Sequence, residues 1–471
     1  MIKLDVSDIR ALNDTINFSF GSSRTASVPL TTGQRYMWEC LSKLGNTAAD
    51  QNCSFLIENL NPKLSAEDLA DVIRDLVFHN ESLRTVFKSD EHLQPSQVLL
   101  CQGAIPVVYQ TLNTGDVLKE ATALVTRLRQ IPFEMDDIPL RTGCVISKGK
   151  IAFISLIFSH MAVDAGALVV IKNRLSDVFG STARPPGPAS TRQPIEQGEW
   201  ERSPNGSKVI TRSHEYWRRV LEKFPHRMFD TRSPPEGGPK WHELRLRSRK
   251  MRDGVVLAAA FYNTNETVVM MAGLALALSK LANKPYLATT LYTSNRFHVG
   301  LASYVGNLAQ VVPFFVDVTA PDIPHLLGAI HRELLTTCRF GIADPIRIDE
   351  IAQASRRGKG IILDSRVNLI YDTRINLFRK DLDDGASKAQ ARFTNDNYND
   401  RDFSLAWMGA RAVGLNSLAI RSYDPSEIFF LFSDEVFAKH DVELLASDVE
   451  TIISGFTRMG RESPSPSLAS M

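Results

Sequence analysis

The sequence predicts a mixed α/β (α+β) protein of two lobes, and three observations predict it. The 471 residues are 44% hydrophobic and 23% charged, enough to bury more than one hydrophobic centre usually organises. Amphipathic helical stretches and apolar strand-like runs are mixed along the whole chain, with no repeat at a fixed period. Two stretches dense in Pro and Gly, GSTARPPGPASTRQP at 180–194 and RSPPEGGPK at 232–240, suit exposed linkers and place the lobe boundary near residue 200. The expected division is a first lobe over 1–200, a second over 201–460 and a disordered Ser/Pro-rich tail over 461–471.

Taken in order, SAEDLADVIRDLVFHN (65–80) has a Ser cap, an acidic first turn and apolar Leu69, Val72, Ile73, Leu76 and Val77 at spacings of three and four. It predicts an amphipathic helix. KEATALVTRLRQIPF (119–133) repeats the pattern and is stopped by Pro132. KIAFISLIF (150–158) is almost continuously apolar, as a strand buried on both faces should be. AGALVVIKNRLSDVFG (165–180) then predicts a helix closed by Gly180. In the second lobe, HEYWRRVLEKF (214–224) predicts a helix, ETVVMMAGLALALSKLANK (266–284) a core helix and EIFFLFSDEVF (427–437) a late buried strand. RLRSRKMR (245–252) alternates like an edge strand with a solvated basic face.

Composition narrows the function classes. Lys plus Arg number 54 against 53 Asp plus Glu, a formal charge of +1, so no global electrostatic footprint for nucleic acid or an anionic membrane is present. The first residues lack a basic segment followed by an apolar one, and no run reaches the roughly 18 apolar residues that span a bilayer. A cytoplasmic location is expected. The five cysteines, Cys40, Cys53, Cys101, Cys144 and Cys338, are scattered, with no CxxC pair and no His at ligand spacing. They predict reduced, mostly buried thiols, and neither a disulfide framework nor a zinc site.

The chemistry-bearing candidate is FSHMAVDAGAL (158–168), in which three residues separate His160 from Asp164 on a strand-to-helix connection. Spacing alone is equally compatible with a core histidine bonded to a carboxylate. The segment resembles the HHxxxDG motif of the condensation domains of nonribosomal peptide synthetases and the HxxxD motif of the wider chloramphenicol-acetyltransferase-like acyltransferases. Five further stretches match in order. PLTTGQRYMWECL (29–41), with Gln34, Tyr36 and Trp38, resembles the opening motif; HNESLRTVF (79–87) is similar to RHExLRTxF; IPFEMDDIPLRTGCV (131–145) is similar to PFDLxxxPLLR. YWRRVLEKFPHRMFDTRSPP (216–235) resembles the crossover between lobes, and LATTLYTSNRFHVGLASYVGNLAQVVPFFVD (287–317) the SGR and GxFVNTLPLR stretches.

The resemblance implies two chloramphenicol-acetyltransferase-like lobes in a V with a central tunnel. It implies that His160 acts as the base or orienting residue, and that Asp164 forms a structural ion pair with Arg296 from the second lobe. It departs from the family pattern at Ser159 (first histidine), Ala165 (glycine after the aspartate), Asn295 (SGR glycine) and Gln310 (FVNT asparagine). If the family glycine uses a positive φ, Gly166 would take over that turn. Ser159, Ala165, Gly166 and Gln310 are therefore site-lining candidates, Gln310 also suiting a structural amide that holds a loop.

By resemblance the activity is condensation of a thioester-activated acyl or aminoacyl donor with an amine or hydroxyl acceptor in a specialised-metabolite pathway. No metal or redox cofactor is expected; the substrate would ride on the phosphopantetheine of a carrier protein or on CoA. The partner expected is an acyl or peptidyl carrier protein or a synthetase acting in trans on a stand-alone chain, with no nucleic acid and no membrane. Two alternatives fit the same residues: a non-catalytic module that recruits a carrier protein or synthetase, and a condensation-like cyclase, dehydratase or hydrolase.

Overall fold

The computed structural model describes residues 14–20, 27–89, 94–179, 192–232, 237–298, 300–355, 361–363, 365–369, 403–411 and 414–462. Most of the 180–194 linker and residues 233–236 lie outside them. The chain divides into two compact units, Met1–Val209 with Ser294–Ala309, and Ile210–Thr293 with Gln310–Met471. The division thus falls at 209/210 rather than at 200. The stretch 294–309, expected in the second lobe, belongs to the first unit.

The first unit contains β1 (Asp14–Ser19), β2 (Ser27–Pro29), α1 (Thr32–Leu44), β3 (Cys53–Glu58), α2 (Ala66–His79), β4 (Thr85–Ser89) and β5 (Pro95–Leu99). It continues with β6 (Gln102–Leu112), α3 (Val117–Arg129), β7 (Leu140–Ser147), β8 (Lys150–Phe158), α4 (Ala165–Phe179) and α5 (Pro194–Arg202). Both early helices begin with reciprocal caps. Ser65 and Asp68 close a capping box on α2. On α1, Gln34 accepts the Thr31 N–H at 2.9 Å while Thr31 Oγ1 accepts the Gln34 N–H, which gives the glutamine of PLTTGQ a structural task.

A five-stranded sheet, ordered β1-β6-β7-β8-β3, is antiparallel except for the β6–β7 pair. Alternation along its strands sorts the core into two layers. Val107, Cys144 and Leu156 face one layer with Leu69, Ile73 and Leu76 of α2 and Ile171 and Leu175 of α4. Their neighbours Val108, Val145 and Ile157 face the other, with Ala121, Leu124 and Leu128 of α3. β8 is therefore covered on both sides, and Ile154, Leu156, Ile157 and Phe158 are all fully buried. Strands β2, β5 and β4 form a separate three-stranded sheet.

The second unit takes most of α6 (Pro204–Leu221), then β9 (Trp241–Ser248), α7 (Arg249–Phe261), α8 (Glu266–Leu281), β10 (Tyr286–Thr293) and β11 (Gln310–Asp317). α9 (Ile323–Arg339), α10 (Pro345–Ala354), β12 (Ser365–Leu369), β13 (Phe403–Arg411), β14 (Leu418–Asp424), β15 (Glu427–Ser433) and α11 (Lys439–Glu462) follow. Its seven-stranded sheet runs β11-β10-β12-β14-β15-β9-β13. α8 is buried around most of its circumference, as its uniformly apolar sequence requires.

Two expectations are corrected by these elements. The basic run 245–252 is no edge strand: β9 lies between β15 and β13, with Leu244 and Leu246 in the core. Arg247 on its opposite face meets Glu427 at 2.5 Å, and Arg249 begins α7. At the C-terminal end, Arg461 and Glu462 still belong to α11; residues 463–471 lie outside the described ones.

Candidate active site

β8 ends at Phe158, and the chain turns tightly into α4. The Ser159 N–H donates to Pro139 O at 3.1 Å, and Ser159 O accepts the Ala162 N–H at 3.0 Å. Ser159 Oγ accepts the Met161 N–H at 3.3 Å. The serine thus closes the turn through its own side chain, a local bond that a hydroxyl makes readily. Met161, Ala162 and Val163 are buried, so the loop is clamped by apolar packing as well.

His160 follows Ser159 with its Nδ1 2.7 Å from Val163 O. A carbonyl only accepts, so Nδ1 carries the hydrogen and Nε2 is left for other groups. Asn307 secures the same residue from a separate segment, its Nδ2 donating to His160 O at 2.7 Å. Antiparallel register sets Cys53 of β3 opposite Phe158, two residues before His160, and the Cys53 sulfur bears on the imidazole electrostatically. Burial disfavours the imidazolium. The Cys53 sulfur, the Val163 carbonyl and the Asp164 charge favour it more strongly, and together they raise His160 to about 9.

Asp164 caps α4, its Oδ1 accepting the Ala167 N–H at 2.8 Å. Arg296 grips both carboxylate oxygens, Nη2 to Oδ1 at 2.6 Å and Nη1 to Oδ2 at 2.9 Å. The N–H groups of Leu308 and Ala309 donate to Oδ2 at 2.8 and 3.0 Å. Burial by itself would raise this carboxyl; Arg296 and the backbone donors outweigh it and hold Asp164 below the usual carboxylate range. Arg296 also donates to Ser294 O, Tyr304 O and Gly306 O, each at 3.2 Å. Asp164 therefore joins the β8–α4 turn to the 294–309 segment, and both lie in the first unit.

The departures from the motif now have physical accounts. Gly166 has no positive φ and takes over no turn: it lies in the first turn of α4, where a Cβ would come within 2.5 Å of Arg296 Nη1. Its role is to admit the guanidinium, so Ala165 is free to be alanine and is exposed. Asn295 occupies the position of the SGR glycine with φ +53°, the left-handed region that asparagine tolerates best after glycine. Its Nδ2 donates to Leu308 O at 2.7 Å.

Gln310 is corrected from site-lining candidate to structural amide. It belongs to the second unit and pairs with the Ala343 backbone in both directions, Nε2 to O at 2.6 Å and Oε1 from N–H at 3.3 Å. The residue at His160 is instead Asn307, three positions earlier. Sequence reasoning missed it and Cys53. Cys53 opens an apolar run, CSFLIE, whose pairing with KIAFISLIF was the available signal. Three of the five cysteines, Cys53, Cys101 and Cys338, are only partly buried, which departs from the expectation of mostly buried thiols. Burial pushes the Cys144 thiol up to about 12.

Among the described residues, no group of three or more His, Cys, Asp or Glu is placed to hold a metal ion. No described helix is long and apolar enough to cross a membrane.

The condensation domain family model matches residues 25–414. The chain belongs to the condensation domain family. Relatives include the isonitrile lipopeptide synthase of Mycobacterium tuberculosis, 24% identical over 331 residues, covering 67% of this chain and 13% of that protein. The malpibaldin synthetase of Mortierella alpina is 20% identical over 347 residues, covering 71% of this chain and 6% of its own. The chain thus spans about an eighth or less of these curated relatives. A condensation domain that mediates chain release from the enacyloxin polyketide synthase shares the fold, with a TM-score of 0.70 at 17% identity over 97% of this chain and 87% of that one. Acyl transfer with amide bond formation is the characteristic chemistry of the condensation family.

Proposed function

We propose that this chain is a condensation-type acyltransferase joining a thioester-activated acyl or aminoacyl donor to an amine or hydroxyl acceptor in nonribosomal-peptide-type biosynthesis. His160, Asp164 and Arg296 stand at the positions of the condensation motifs. The observation that carries the reading is His160: one imidazole, fixed in one tautomer at the end of a buried strand, with Nε2 left for other groups and an anchored Asp164–Arg296 pair at the end of its loop. The acceptor nitrogen or oxygen attacks the thioester carbonyl as its proton passes to Nε2. The C–S bond then breaks, and the proton leaves with the departing thiol. In its protonated form the same Nε2–H donates to the developing oxyanion. Asp164 and Arg296 position the loop and touch no substrate.

The donor is carried on the phosphopantetheine of a carrier protein or synthetase, in trans, or on CoA. The test is a metabolite profile of the organism after deletion of the gene. Loss of one product, with accumulation of two precursors whose joined masses account for it, supports condensation. A lost product equal in composition to one precursor, or to that precursor less water, refutes joining in favour of cyclisation or dehydration.

A further inference from the structure

The seven-stranded sheet sends Leu244, Leu246, Ile420 and Phe430 into the core, and alternation sends Arg245, Arg247, Arg421, Glu427 and Phe429 to its other face. Register sets three of these side by side. Phe429 of β15 lies opposite Arg421 of β14 on one side and opposite Arg245 of β9 on the other, and directly opposed residues share a face. Tyr423 meets the Phe429 ring edge-on, with 6.2 Å between centroids. A small aromatic platform therefore lies between two guanidinium groups.

The charge around it is not balanced. Arg247 pairs with Glu427 at 2.5 Å, and Arg421 Nη2 with Glu243 at 2.5 Å. Arg366, farther along the sheet on β12, donates to the Tyr292 hydroxyl at 2.9 Å. Arg245 is left with one ion-pair contact among the described residues, Glu427 Oε1 at 3.9 Å, an oxygen already taken by Arg247. On β13 it faces Ala406, which offers no carboxylate. Arg245 and Arg421 each keep a buried Nε without a hydrogen-bond partner among the described residues. A buried donor left unpaired is costly, and Nε is half of the fork with which a guanidinium holds a carboxylate. Arg245, Arg247 and Arg421 against Glu243 and Glu427 leave one positive charge, the complement of a monoanion rather than of a phosphate dianion. The Arg245 side chain is 26% exposed, so that charge is within reach of a ligand.

We propose that this face of β9, β15 and β14 binds a small organic carboxylate, its anionic head held by Arg245, with Arg421 Nε as a second donor, and its apolar body on Phe429 and Tyr423. The proposal goes beyond acyl transfer and does not rest on it, since binding is read without turnover.

The test is a titration of the purified full chain with benzoate at neutral pH and fixed ionic strength, followed by ligand-observed NMR. Two matched probes accompany it: benzamide, the neutral counterpart, and phenyl phosphate, a dianion. Benzoate should bind about 10-fold more tightly than benzamide and more tightly than phenyl phosphate, and Arg245→Gln should weaken it by about 10-fold. Glu427→Gln withdraws the competing carboxylate and should tighten it. Equal affinity for benzoate and benzamide overturns the proposal, as does phenyl phosphate binding as tightly as benzoate or more so. A benzoate affinity unchanged in folded Arg245→Gln does the same. Should that variant fail to fold, Glu427→Gln decides: benzoate bound no more tightly than by the unaltered chain overturns the site.

Discussion

His160 owes its electrostatics to neighbours that come from different places in the chain: Cys53 from β3 and Val163 from its own turn, with Asn307 of the 294–309 segment holding its backbone. Its pKa, raised from the ordinary 6.5 to about 9, has a defined sign. A step that needs neutral imidazole climbs with pH and levels off above about 9. The same shift adds stability that is complete below the unfolded value and is lost as pH rises through the folded one. Cys53→Ala removes the first of the raising influences, so the His160 ring should titrate at lower pH. An NMR titration of that ring across about pH 6 to 10 in both proteins checks this, and a midpoint unchanged or moved upward contradicts it.

At the level of elements, glycines mark where backbones and helices come closest. Gly273 of α8 packs against α11, and a Cβ there would lie 2.3 Å from Ile453 Cγ1. Gly273→Ala should lower stability by about 1–3 kcal/mol through overpacking. Ile453→Ala removes the obstructing atoms, so the double variant should be less destabilised than the sum of the singles. Chemical denaturation of the four proteins measures the coupling; simple additivity would show that the two helices do not meet as described. Helix α8, β8 and α2 were legible in the sequence because period and capping are local properties. β9 was misassigned because alternating Arg and Leu specify only its two faces. That β13 pairs along its other side is a long-range fact. Gly166 was misread for the same reason: the Arg296 guanidinium that demands a missing Cβ lies far away in the chain.

At the scale of the whole molecule, motif order carried most of the information. His160, Asp164 and Arg296 were legible because their residue types and sequence order match a family pattern. Asn307 was not, since a single asparagine in VGNLAQ carries no period and no pattern of its own. The units also predict that the chain cannot be divided cleanly at 209/210. Residues 1–209 contain Asp164 but not Arg296, Leu308 or Ala309, so this fragment leaves a buried carboxylate without its ion-pair partner. One broken side of such a pair costs roughly 3–5 kcal/mol. The 1–209 fragment should therefore be insoluble or protease-sensitive when expressed alone. A soluble fragment with cooperative thermal unfolding would contradict that role for the 294–309 segment.

The central claim is that His160 performs chemistry rather than completing a core, and the most direct test is a chromosomal His160→Ala change set beside the gene deletion, with soluble expression of the variant verified. The account predicts that both strains lose the same product and accumulate the same unjoined precursors. Wild-type product in the His160→Ala strain, together with its loss in the deletion strain, would contradict it and leave the chain acting by recruitment or through other residues.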